Sequence, residues 1–168
     1  MVREKVLVSA CLLGEKVRYD GGDCRPSGQE SRILDQWLAE ERVVPFCPEV
    51  EGGLETPRAP AEIEEGDAEG VLAGRRRVRR KDGRDVTDAF VAGAERALAE
   101  CWKHRIKVAV LKEGSPSCGA KSVSDGSFTG RKRKGQGVTA RLLARHGISV
   151  FSERELEAAA RRLAELEA

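Results

Sequence analysis

The sequence predicts an α/β fold: a Rossmann-like open parallel sheet of about four to five strands with helices on both faces, plus a small peripheral β-hairpin. Three observations lead there. Short apolar runs at residues 6–8, 43–46, 106–111 and 148–151 alternate with stretches of helical periodicity. The run 106–111 is apolar at every position but Lys107, as expected of a strand covered on both faces. Finally, Cys11, Cys47 and Cys118 each lie just past one of these runs, and the carboxyl edge of an open α/β sheet is where ligands bind.

Val6-Leu7-Val8 begins the first strand, and a polar loop follows from Gly14 to Gly28, with Asp20-Gly21-Gly22 as a turn signal. Ile33, Leu34, Trp37 and Leu38 fall at helical spacing within 30–41. The second strand ends at Phe46-Cys47. Three prolines and Gly52-Gly53 between Pro48 and Pro60 predict an irregular loop. Gly74 and Asp82-Gly83 within 71–84 predict a hairpin outside the main sheet. Thr87 caps a helix running to His104, with Phe90, Ala94, Leu98, Cys101 and Trp102 as its buried stripe. The third strand, Ile106 to Leu111, is central. A short helix over 137–145 stops at Gly147, and Ile148 to Phe151 forms a fourth strand. Ser152 and Glu155 make a capping box for a last helix whose Leu156, Ala159, Leu163 and Leu166 face inward.

At 168 residues the chain is expected to form one domain over 1–168, burying about two-thirds of its unfolded surface. No apolar run approaches the roughly 20 residues needed to cross a bilayer, so a cytoplasmic protein with no membrane partner is expected. Five cysteines, an odd number in a chain long enough to build a core, argue against a disulfide framework and for ligands or reactive thiols. Charge is uneven: residues 49–69 hold eight acids and one arginine, whereas 75–84 hold seven basic residues and Asp82. A second basic run is Arg131 to Lys134. The favoured reading of these runs is solvated surface rather than an RNA site, because aromatic residues for base stacking amount to 4%.

Three thiolates at one sheet edge can hold a zinc ion with an open position, or three irons of a cubane cluster with the fourth exposed. Close Cys-x-x-Cys pairs, the mark of structural zinc, are absent. Cys101 reads as helix core. Cys24, in the polar loop, reads as a fourth ligand, a sulfur carrier or, the favoured reading, an exposed bystander. Glu49, two residues past Cys47, is placed to move protons beside a metal. Ser115 and Ser117 flank Pro116 before Cys118, with turn formation as their plainer role. His104 and His146 fall near helix C-termini, where they complement the dipole.

The segments Val8-Ser9-Ala10-Cys11-Leu12-Leu13-Gly14, Cys47-Pro48-Glu49-Val50, Ser115-Pro116-Ser117-Cys118-Gly119 and Asp125-Gly126-Ser127-Phe128 together resemble the thiouracil desulfidase family over nearly the whole chain. That resemblance implies a 4Fe-4S cluster bound by Cys11, Cys47 and Cys118. It also implies a non-redox reaction in which the sulfur of a thiolated nucleobase or nucleotide binds the open iron and water replaces it. The family's acidic and serine catalytic positions fall on Glu49 and Ser115. Arg18, Asp20, Thr56, Arg58 and Ser117 are expected substrate-binding residues from their loop positions, with Tyr19 beside them. The competing expectation is an iron-sulfur or zinc protein that binds RNA or senses redox state without catalysis.

Overall fold

The computed structural model describes residues 3–16, 18–22 and 25–168; Cys24 lies outside the described residues. In chain order the elements are β1 (Val6–Ser9), α1 (Gln29–Ala39), β2 (Val43–Phe46), α2 (Pro48–Glu51), β3 (Ala61–Ile63), α3 (Ala68–Leu72) and β4 (Val78–Arg80). Then come α4 (Thr87–Lys103), β5 (Val108–Leu111), β6 (Ser122–Ser124), β7 (Lys132–Lys134), α5 (Val138–Arg145), β8 (Ser149–Ser152) and α6 (Leu156–Glu167).

Four strands form one parallel sheet in the order β2-β1-β5-β8. The chain builds outward from β1 to β2 and then crosses to β5 on its other side, so the topological switch lies between β1 and β5. Their residues are fully buried because both faces are covered. Alternate side chains go to opposite layers: Leu7, Ala109 and Leu111 pack with Ala97, Leu98 and Leu143 of α4 and α5. Val6, Val8, Val108 and Val110 pack with Leu34, Trp37 and Leu163 of α1 and α6. Pro45 sits in β2, an edge strand, where a missing amide is tolerated.

Four details differ from the sequence reading. Pro48 starts a helical turn, α2, within the expected irregular loop, because proline at the first helical position has its φ already set. The outer hairpin does not lie wholly within 71–84. Asp67 accepts from the Gly70 amide at 2.9 Å and begins α3, so β4 takes β3 as its antiparallel partner, Glu62 facing Arg79. Thr87 is not the helix cap; Val86 holds that position. The Thr87 hydroxyl instead accepts from Val78 N at 2.8 Å and donates to Asp85 Oδ1 at 2.6 Å, tying α4 to β4. Trp102 is 63% exposed, its ring edge on His146 at 5.7 Å, because the stripe turns inward through Ala97 and Cys101.

The uneven charge resolves across β3 and β4. Arg77 pairs with Asp85 at 2.7 Å, Arg79 with Glu64 at 3.5 Å, Arg80 with Asp82 at 2.8 Å, and Arg76 with Glu65. The acidic and basic segments thus partner one another in part, through Glu64 and Glu65, while Asp82 and Asp85 take Arg80 and Arg77. The second basic run forms β7, exposed and paired with β6. No helix among the described residues is long and apolar enough to cross a membrane.

α2 is pressed backbone to backbone on α4: a Cβ at Gly93 would lie 2.0 Å from Pro48 O, and one at Gly52 2.1 Å from Ala89 O. Alanine for glycine inside a helix ordinarily stabilises by about 0.5–1 kcal/mol. Here the sign reverses, and Gly93→Ala is expected to cost about 1–3 kcal/mol through overpacking, measured by denaturant unfolding. Asp85 accepts from the Thr87 amide and hydroxyl and from Arg77, which together hold its carboxyl at about 2. A depressed folded-state pKa stabilises fully above the unfolded value and is lost as pH falls through about 2. Asp85→Asn is therefore expected to lower stability near neutral pH by about 1 kcal/mol and to flatten the acid limb of the stability curve.

Candidate active site

The carboxyl ends of β1, β2 and β5 open onto a cavity of about 380 Å³ whose lining includes Cys11, Cys47 and Cys118. Each cysteine arrives by a different local device. Cys11 lies in a 3-10 turn, Ala10–Leu13, ended by Gly14 at φ 92°, a left-handed conformation that favours glycine. Cys47 is the cap position before Pro48 in α2. Cys118 belongs to a turn closed by Gly119 N on Ser115 O at 2.9 Å. That turn rests on α5: Val138 N donates to Pro116 O at 2.9 Å and Thr139 N to Ser117 O at 2.8 Å. These bonds satisfy helix-start amides that have no partner within the helix. Gly137 permits the approach, since a Cβ there would lie 2.4 Å from the Ser117 carbonyl carbon.

Burial raises the pKa of three groups at the site, Cys118, Cys47 and Glu49. The Cys118 thiol, 5% exposed, is pushed up to about 12 by burial and by Cys47 and Glu49 nearby, with the Ser9 and Ser117 hydroxyls opposing. Cys47 is raised chiefly by burial, the amide of Val50 opposing most strongly. Glu49 is raised above the usual carboxylate range by burial, against the pull of Arg58 and the Ser115 hydroxyl. Arg58 Nε stands 3.5 Å from Glu49 Oε1. Its Nη1 donates to Glu55 O and to Thr56 Oγ1, both at 3.0 Å.

Ser115 is the junction. Its Oγ accepts from the amides of Ser117 and Cys118, each at 3.1 Å. A hydroxyl has two lone pairs and one proton, so both lone pairs are engaged and the proton remains for Glu49.

Glu49, Ser115, Arg18, Tyr19 and Arg58 line the cavity with the three cysteines. Asp20, Thr56 and Ser117 are not among its lining. Asp20 Oδ1 accepts from Gly22 N at 2.8 Å and closes the turn beside Arg18. Thr56 reaches Arg58. Ser117 is fully buried, its hydroxyl 2.8 Å from Thr139 Oγ1, behind Cys118. Cys101 is core, fully buried in α4.

Sequence reasoning missed Ser9, Lys112, Glu113 and Lys132, which also line the cavity. Ser9 Oγ accepts from Lys112 N at 3.0 Å and bridges β1 to the residue after β5. Glu113 Oε1 accepts from the amides of Gly114, Lys121 and Ser122 at 3.0–3.2 Å and shapes the loop that carries Cys118. The strand-end rule that singled out the cysteines applies equally to Ser9 and Lys112. Lys132 arrives from β7, in the basic run Arg131 to Lys134, which the sequence alone reads as solvated surface.

A single zinc ion needs its ligands about 2.0–2.3 Å from one centre. Among the described residues no three His, Cys, Asp or Glu side chains converge on one point in that way. The three thiols line one cavity, and iron-sulfur clusters distribute their cysteines over separate irons. An all-sulfur donor set is also the soft set that iron-sulfur clusters take.

Residues 6–155 match the 2-thiouracil desulfurase family. The chain is 42% identical over 151 residues to the uncharacterized protein YbbK of Bacillus subtilis (strain 168), covering 90% of this chain and 97% of that one. Among solved structures it is similar to the 4Fe-4S-dependent thiouracil desulfidase TudS, with a TM-score of 0.87 and 46% identity over 96% of this chain and 99% of that one. Since the family match runs from β1 past β8 and takes in every residue around the cavity, the chain belongs to the 2-thiouracil desulfurase family.

Proposed function

We propose that the protein is an enzyme that hydrolytically removes sulfur from a thiolated nucleobase or nucleotide, using a 4Fe-4S cluster held by Cys11, Cys47 and Cys118. The observation that supports this most is the meeting of three thiols with Glu49 and Ser115 around one cavity at the switch between β1 and β5. Family membership and the likeness to TudS support the same chemistry. When bound, the cluster supplies a Lewis-acidic iron with an open position for the substrate's sulfur.

The chain supplies the rest. Cysteine thiols that ligate a metal are deprotonated outright, the protons leaving to solvent, so Cys11, Cys47 and Cys118 would hold the cluster as thiolates. Glu49, raised by burial, takes a proton from the attacking water more readily than an ordinary surface carboxylate and returns it. Ser115 Oγ–H donates to the Glu49 carboxylate and holds it oriented toward the substrate while Glu49 itself moves the proton. Arg58 fixes the carboxyl from behind. Overall, water oxygen replaces sulfur on the ring carbon, both water protons leave with sulfur as hydrogen sulfide, and no electron is transferred. Arg18 and Tyr19 also line the cavity, the guanidinium 5.7 Å from the Tyr19 ring centroid, and a flat ring would lie against them.

Separate serine variants of Cys11, Cys47 and Cys118 are expected to lose most bound iron after anaerobic reconstitution, while Cys101→Ser retains it. Glu49→Gln should keep its iron and visible spectrum but release sulfide at least about 100-fold more slowly, the usual worth of a general acid-base. Ser115→Ala removes the acceptor for two amides of the Cys118 turn and is expected to lower iron retention as well as turnover. Full turnover in Glu49→Gln would rule out this mechanism, and iron retention in all three cysteine variants would rule out the ligand set.

A further inference from the structure

A second, smaller cavity of about 50 Å³ lies on the far side of Glu49 and Arg58. Both side chains line it as well as the large cavity, so this pair forms part of the wall between them. Arg80 lines only the smaller one. Its Nη2 is 2.8 Å from Asp82 Oδ2 and its Nη1 3.6 Å from Glu55 Oε1, but Nε is buried and has no hydrogen-bond partner among the described residues. Buried donors of this kind are normally satisfied by ordered water.

Space and partners both suit water. A site needs about 10–15 Å³ of accessible volume and two to four polar groups to hold one, and the polar residues Arg80, Glu49 and Glu55 all line this cavity. Hydrolysis consumes one water per turnover: its oxygen bonds to the ring carbon, the carbon-sulfur bond breaks, and both protons leave with sulfur as hydrogen sulfide. A substrate that fills the large cavity expels the water there. We infer that the small cavity is a water site, anchored by Arg80, that supplies the hydrolytic water past Glu49 while substrate occupies the large cavity. This inference rests on the desulfuration reading above.

Ala59 lines the small cavity and not the large one, which the three thiols line. Two measurements on the reconstituted holoenzyme test the inference. In a crystal structure with a thiolated base bound, an ordered water is expected within hydrogen-bond distance of Arg80 Nε; a dry cavity overturns the inference. Ala59→Leu, which fills the space, is expected to lower kcat about tenfold or more with KM, iron content and Tm unchanged. Unchanged kcat with the filled cavity confirmed crystallographically overturns the supply role. Sulfide release by wild type together with a dry cavity would sink this inference alone, whereas an ordered water in a wild type that releases no sulfide would sink the desulfuration reading and the supply role together.

Discussion

The carbonyls of Pro116 and Ser117 accept the leading amides of α5, and the placement of the site depends on that docking. It gives the helix start the acceptors it lacks internally and holds Ser115 and Cys118 against the end of β5. Ser115 then uses its own oxygen to bind the Ser117 and Cys118 amides, which leaves its proton for Glu49. One short turn thus fixes a thiol and a hydroxyl at once, and Glu113 pins the far side of the same loop through three further amides. The second anchor is the contact of α2 on α4, where Gly52 and Gly93 let Pro48 and Ala89 carbonyls approach without side chains between them. It carries Cys47 and Glu49 into the same crevice.

Burial is the common electrostatic theme. Burial shifts Cys118, Cys47 and Glu49 all toward their neutral forms, and among the described residues Arg58, held by Glu55 O and Thr56 Oγ1, brings a compensating charge into direct reach of Glu49. An uncompensated charge buried there would cost several kcal/mol. A site so arranged suits a resident cationic centre with thiolate ligands and a carboxyl that exchanges protons. It does not resemble a surface ion-pair network, of the kind that β3 and β4 do form through Arg77, Arg79 and their acidic partners.

Much of the architecture was legible because it rests on local patterns. The apolar runs gave the four strands of the sheet, and their carboxyl ends located Cys11, Cys47 and Cys118 correctly relative to the elements that bring them together. Misreadings arose where long-range pairing decided the outcome. β4 finds its partner in β3 rather than within the segment 71–84, and the Thr87 hydroxyl turns to Val78 rather than to its own helix. Trp102 sits one position beyond the last inward residue of its stripe, a distinction that periodicity alone does not make. Within the candidate site, Asp20, Thr56 and Ser117 resemble pocket residues by loop position, but each spends its side chain on a neighbouring turn, guanidinium or hydroxyl. Lys132 reaches the cavity from a strand whose sequence shows only charge.

The most direct test is the stoichiometry of the wild-type reaction. After anaerobic reconstitution, the protein is incubated with 2-thiouracil and with thiolated uridine nucleotides in the absence of any reductant, and desulfurated product, sulfide and cluster iron are measured together. One sulfide per desulfurated base, turnover that requires bound iron, and no need for an electron donor are expected of hydrolysis at a bound cluster. Turnover by iron-free protein, or a strict requirement for reductant, would contradict it.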